Sequence, residues 1–305
     1  MTLRRILCPI DFSEVSSHAL EHAVGLARTA GARLTVLHVV HPLMPRTGMG
    51  RLNAAAAPLT DPAALQEPRD RVDAACRQAG GADVAVDIAV VAADQPAHAI
   101  LEQAAAQSAD LVVMGTHGTG GFQHLLLGSV AEKVLRRAAC PVLTVPQQAQ
   151  NASAGIFMRV LCAVDFSECS LAAMTAAAAM AAQPAASLTL LHVVEWPWHE
   201  PPVPSMDGVP PAQAQAVLDY HRYLEASAGE RLAALAASAL PGRDVLTCVR
   251  FGTPYTELLD AAQEGRAEII VLGVRGRSAL DVGFFGSTAN QAVRRATCPV
   301  LTIRA

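Results

Sequence analysis

Short apolar runs alternate with longer stretches of helical period along this chain, and they do so twice. In the first half the apolar runs fall near 4–10, 33–40, 84–91, 110–115 and 141–145. Stretches of 3.6-residue period lie between and after them, near 14–30, 62–80, 96–108 and 128–138. In the second half, strands are predicted near 158–164, 186–194, 245–251, 267–273 and 299–303. Runs such as Leu111-Val112-Val113-Met114 and Ile269-Ile270-Val271-Leu272 are apolar at every position. A strand with helices over both faces needs that pattern, which belongs to buried parallel sheets. Alternation of β and α then predicts a doubly wound α/β unit in each half.

The halves are copies of one another. Ile6-Leu7-Cys8-Pro9-Ile10-Asp11-Phe12-Ser13-Glu14 recurs as Val160-Leu161-Cys162-Ala163-Val164-Asp165-Phe166-Ser167-Glu168, and Leu37-His38-Val39-Val40 as Leu191-His192-Val193-Val194. Ala109–Val145 aligns without a gap to Ala267–Ile303, with 15 of 37 positions identical. The offset is 154 from Asp11 to Asp165 and 158 from Gly115 to Gly273, so the length difference lies between, after the second strand. Domains are therefore expected at 1–147 and 157–305, with a small, polar linker over 148–156. Two long stretches follow the second strands, at His41–Asp61 and at Glu195–Pro211 with Trp196 and Trp198. Each reads equally as a lid over a site or as a loop packed on its own surface.

Composition narrows the function classes. The 305 residues are 52% hydrophobic and only 16% charged, which argues against disorder. A net charge of −4 implies no broad basic face for nucleic acid, and 4% aromatics leave few platforms for stacking bases. The apolar run Leu171–Ala182, with eight alanines, is too short for a membrane span and reads as a helix packed closely on the sheet. Met-Thr-Leu-Arg-Arg leads into a strand without the apolar core of a signal peptide. The seven cysteines contain no CxxC pair. A cytoplasmic protein without membrane or nucleic-acid partners is the expectation.

Chemistry concentrates in glycines. Copy one carries Gly115-Thr116-His117-Gly118 after a strand, then nine residues, then Gly128-Ser129 opening a helix; copy two carries Gly273-Val274-Arg275-Gly276 and Gly286-Ser287 at the same spacing. Glycines there are expected to turn the backbone at positive φ and to let it approach a ligand. A helix start adds unpaired amides and a positive dipole end, worth about 0.3–1 kcal/mol toward an exposed anion. The competing interpretation is local: Ser129 with Glu132 spells a capping box, and Ser287 can cap its own helix. Asp11 and Asp165 end a strand where open α/β sheets bind ligands, and each can also make an Asx-type cap on the next helix.

The G-x2-G-x9-G-S pattern, the Asp-Phe-Ser after the first strand and the terminal Cys-Pro-Val-Leu-Thr resemble the universal stress protein family, in both copies and over nearly the whole chain. The resemblance implies Rossmann-like domains of the adenine nucleotide alpha-hydrolase type, and the glycine pattern is that of the ATP-binding branch. It places Asp11 and Asp165 at the adenosine end, and Val39 and Val193 along the adenine. Gly115, Gly118, Gly128 and Ser129, like Gly273, Gly276, Gly286 and Ser287, would surround the phosphates. Pro9, Met114, Thr116, His117 and Val130 lie beside the first site, and Leu272, Arg275, Arg277 and Thr288 beside the second. It also implies an intramolecular pseudo-dimer through the last strands, with a homodimer as a further possibility. Where copy one has His117, copy two has Arg275 and then Arg277, so tighter triphosphate binding is expected at the second site.

Other motifs are missing. There is no GxxxxGK[ST] and no G-x-S-x-G, and no acid/base pair is committed to chemistry. His18 and His22 have the spacing of zinc ligands but no third partner nearby, and His38 and His192 read as hydrogen-bonded strand-end histidines. The expected function is a regulatory module binding ATP, with magnesium as its usual companion, in each domain. A slow ATP hydrolase and a nucleotide-independent interaction protein are the alternatives.

Overall fold

The computed structural model describes residues 2–41, 65–118, 127–149, 155–195, 211–276 and 285–304. The long stretches after the second strands fall almost wholly outside the described residues, as do Arg277 and residues 150–154 of the expected linker. The chain divides into two compact units, Thr2–Gly155 and Ile156–Ala305.

In the first unit the order is β1 (Arg5–Ile10), α1 (Glu14–Ala30), β2 (Arg33–Val40), α2 (Gln66–Gln78), β3 (Val86–Ala92), α3 (Pro96–Ala106), β4 (Leu111–Gly115), α4 (Ser129–Arg137) and β5 (Val142–Val145). Within this unit the strands run β3-β2-β1-β4-β5, each pair parallel. The second unit repeats the plan with β6 (Arg159–Ala163), α5 (Glu168–Met180), β7 (Ser187–Val194), α6 (Pro211–Ala239), β8 (Leu246–Phe251), α7 (Pro254–Glu264), β9 (Ile269–Gly273), α8 (Ser287–Arg295) and β10 (Val300–Ile303). Its strands run β8-β7-β6-β9-β10, again parallel. In both sheets the chain leaves the first strand in one direction and later returns to its other side. That reversal opens a crevice at the carboxyl ends of β1 and β4, and of β6 and β9.

Local chemistry explains the elements. Ile6, Leu7, Cys8, Leu111, Val112 and Val113 are fully buried, as strands covered on both faces require. Helix α1 begins where the Ser13 hydroxyl accepts from the Ser16 amide, and ends at Gly31 in the left-handed region with φ 62°. Ser167 caps α5 in the same way. Helix α5 carries the alanine run, with Ala173 and Ala177 fully buried, and packs on β6, β9 and β10. The helix before the third strand differs in described length: α6 has 29 residues where α2 has 13. Among the described residues no helix is long and apolar enough to cross a membrane.

His22 is 1% exposed, inside α1. Burial and the nearby His18 push its imidazole down to about 4. An unfolded chain protonates a histidine near 6.5. From neutral pH down to about 6.5 the contribution to stability is constant. Between 6.5 and 4 the unfolded state takes up a proton that the folded state refuses, so stability falls, by about 3 kcal/mol at most. Denaturant titrations from pH 7 to 4 should show this slope, and His22→Leu should flatten it. Ser13→Ala and Ser167→Ala should each lower stability by about 1 kcal/mol through the lost cap, read as a drop in denaturant midpoint without a change in slope.

Candidate functional site

The crevice of each unit holds a cavity, of about 590 Å³ in the first and about 530 Å³ in the second. Each is built on the turn that leaves the unit's first strand. Asp11 follows β1; its Oδ1 accepts from the Ser13 amide at 3.1 Å and from the Ser13 hydroxyl at 2.6 Å. Asp165 does the same with Ser167, at 3.0 and 2.6 Å. This is the Asx turn expected as one of two roles. The second oxygen faces the glycine loop. A Cβ placed on Gly118 would fall on Asp11 Oδ2, and one on Gly276 would lie 2.7 Å from Asp165 Oδ2. Each carboxylate thus spans from the helix cap to the glycine loop across the crevice.

The residue between Asp and Ser is held in the left-handed region, Phe12 at φ 62° and Phe166 at φ 63°. A phenylalanine occupies that region only at a cost of about 1–2 kcal/mol, so its surroundings must fix it. A histidine and an arginine hold each ring. His38 lies 4.5 Å from the Phe12 ring centroid and Arg71 lies over it at 4.1 Å; His192 and Arg231 hold Phe166 at 4.7 and 3.9 Å. The histidines are themselves tied to the preceding strand end, His38 Nδ1 2.9 Å from the Ile10 carbonyl oxygen and His192 Nδ1 2.7 Å from that of Val164.

The glycines meet a different requirement from the expected one. None of Gly115, Gly118, Gly128, Gly273, Gly276 or Gly286 has a positive φ. They are needed for closeness. A Cβ on Gly115 would lie 2.8 Å from Val15 Cγ1, and one on Gly273 would lie 2.7 Å from Cys169 Cβ, so these two admit the first turn of α1 or α5. A Cβ on Gly128 or Gly286 would press on the carbonyl oxygen of Thr116 or Val274, at 3.2 and 3.1 Å. The Gly128 and Gly286 amides donate to those same oxygens at 2.8 Å, which locks the loop to the helix start.

The capping box is also corrected. Gly128 and Gly286 are themselves the N-caps of α4 and α8, with no side-chain cap. Ser129 and Ser287 are the first helical residues, one position too late to cap. Glu132 turns instead to Arg136, 3.0 Å away. Each helix therefore presents its first amides to the cavity without a side-chain acceptor of its own.

Of the residues expected at the first site, Pro9, Asp11, Val39, Met114, Gly115, His117, Gly118, Gly128, Ser129 and Val130 line the first cavity. Thr116 does not: it is buried, and its hydroxyl meets His117 Nδ1 at 2.9 Å. Asp165, Val193, Leu272, Gly273, Arg275, Gly276, Gly286, Ser287 and Thr288 line the second cavity, and Arg277 lies outside the described residues. Sequence reasoning missed the wall contributed by the third helix of each unit, Pro96 and Ile100 in α3 and Pro254 and Leu258 in α7. Two helix-opening prolines at equivalent places in the repeat were its available signal.

Ionisation is disfavoured at three of the cysteines beside the strands. Burial pushes Cys8 and Cys162 far above the ordinary thiol range, and Cys298 up to about 12. Among the described residues no three His, Cys, Asp or Glu side chains converge as a metal site, His18 and His22 included.

Comparison with known proteins agrees with this architecture in both copies. The chain is 27% identical over 302 residues to a universal stress protein of Mycolicibacterium smegmatis, covering 98% of this chain and 96% of that one. It is 33% identical over 142 residues to a universal stress protein of Methanocaldococcus jannaschii, covering 47% of this chain and 81% of that one. In fold it is similar to a crystal structure of a universal stress protein from Archaeoglobus fulgidus, at TM-score 0.64 and 22% identity over 100% of this chain and 99% of that one. The model of the universal stress protein family matches residues 2–146 and again 157–304, and the chain belongs to that family as a tandem, two-domain member.

Proposed function

We propose that each domain binds an adenine nucleotide, ATP with its magnesium, in the cavity at its strand ends, and that occupancy governs a regulatory interaction. The observation that carries this is the paired carboxylate and glycine at the switch point. Asp11 and Asp165 give one oxygen to a helix cap and hold the other beside Gly118 or Gly276, in reach of ribose hydroxyls. Val39 and Val193 supply apolar wall for a flat base. Against the same loop, the uncapped starts of α4 and α8 offer amides to phosphate. The cavity volumes fall within the range of ordinary small-ligand sites. A magnesium ion would arrive on the phosphates, since Mg²⁺ keeps much of its water and takes few protein ligands.

The same residues give a binding module its mechanism. Backbone amides and one fixed carboxylate orient the ligand. Neither site presents a lysine to the phosphates, and the lining carboxylate of the first is already engaged by its turn. Nucleotide then acts as a wedge between the Asp turn and the glycine loop, and shifts the population of conformers that a partner recognises.

Mass spectrometry of small molecules released from gently purified protein should find adenine nucleotide, at up to two per chain. Gly118→Asp and Gly276→Asp each place a carboxylate on Asp11 or Asp165 and should each remove one equivalent. Protein without nucleotide, and without a thermal shift in millimolar ATP, would overturn the proposal and favour a nucleotide-independent interaction protein.

A further inference from the structure

The two cavities share a backbone and differ in the side chains around the helix start. In the first, the glycine loop presents His117, which is held through Nδ1 by the Thr116 hydroxyl at 2.9 Å, and α4 presents Val130. In the second, the loop presents Arg275 and α8 presents Thr288. Val274 stands where Thr116 does, so the neighbour of the loop residue differs as well. One residue past the last strand the copies differ again, Pro146 in the first and Arg304 in the second. Burial and the charge of Arg275 push the Arg304 guanidinium below its ordinary value. Both cavities keep the same carboxylate beside the glycine loop, Asp11 or Asp165.

At the cavity lining the copies differ in charge and in hydrogen-bond donors. A guanidinium is charged at every physiological pH and donates in a fork that matches phosphate oxygens. A histidine carries at most a fractional charge near neutrality, and valine has nothing to donate. Resting on nucleotide binding as proposed above, we infer that the two sites are graded by ligand charge. The second, through Arg275 and Thr288, selects long phosphate chains, and the first accepts adenine nucleotides with little regard to phosphate number. One chain would then report two things: the second site fills with triphosphate, and the first follows the total adenine nucleotide pool.

Calorimetric titration of the full chain with AMP and with ATP separates the sites. In Gly118→Asp, where the second site remains, ATP should bind about tenfold or more tighter than AMP. In Gly276→Asp, where the first remains, the ratio should stay below about threefold. Adding Arg275→His to the Gly118→Asp chain should lower ATP affinity about tenfold and AMP affinity far less, and raised salt should narrow the ratio at the second site more than at the first. If the glycine variants do not fold, Arg275→His in the otherwise unaltered chain gives the same test, since two-site ATP isotherms should merge toward one class. Equal ATP-to-AMP ratios at the two sites, or a ratio insensitive to Arg275→His, would overturn the grading while leaving nucleotide binding intact. Absence of any binding of either nucleotide would overturn both.

Discussion

One carboxylate with two tasks organises each domain. Asp11 stands where β1 gives way to α1, and its two oxygens look in different directions, one into the helix cap through Ser13 and one toward Gly118 on the far lip of the crevice. The second task is possible only because position 118 has no side chain. The first is possible only because Phe12 accepts a backbone conformation that a phenylalanine resists. The ring is consequently clasped by His38 and Arg71, and His38 is fastened to the end of β1. Strand end, helix cap, glycine loop and the helix before the third strand are thus tied to a single turn. Copy two reproduces every link with Asp165, Phe166, His192 and Arg231.

The repeat shows which parts of that arrangement tolerate change. Helix α6 is more than twice as long as α2, yet each still places an arginine over the phenylalanine ring. Strand wall residues also vary, Pro9-Ile10 against Ala163-Val164. Away from the crevice the copies diverge in packing as well: the Thr35 hydroxyl donates to the Gln107 side chain at 2.7 Å, and in the second domain Gly265 stands where Gln107 does. There a cavity of about 350 Å³ opens beside Thr189 and Cys248. Position-dependent freedom of this kind is what a shared backbone with separable binding chemistry requires.

Much of this was legible in the chain before the structure. Apolar strands such as Leu111–Met114 announced burial on both faces, because no half-exposed strand omits polar residues throughout. The glycine spacing and the Asp-Phe-Ser turn pointed to the crevice. What was misread was why glycine is needed. Sequence suggests conformational freedom whenever glycine follows a strand, but here the demand is steric, set by Val15, Cys169 and the two aspartates that only the fold brings near. Ser129 misled for a similar reason: a capping box requires the serine to precede the first helical residue, and a shift of one position, invisible in periodicity, moves the cap to Gly128. The wall from α3 and α7 and the arginine clasp on each phenylalanine are contacts between residues far apart in the chain, and no local pattern encodes them.

The uncapped start of α4 and α8 follows from this steric logic. A serine or aspartate at the N-cap would satisfy one of the first amides internally and would stabilise the helix, relative to glycine, by a few tenths of a kcal/mol. Glycine forgoes that, and its missing Cβ lets the loop carbonyl of Thr116 or Val274 come within hydrogen-bond distance of its amide. The helix is anchored by its neighbour and its remaining first-turn amides point into the crevice. The loop contact takes the place of a side-chain cap in fixing the helix start. A site preorganised in backbone does not depend on net charge. On the proposed function, an acidic protein would hold its anion at these helix starts, and the loop side chain, His117 or Arg275, is where the two copies differ on a shared frame.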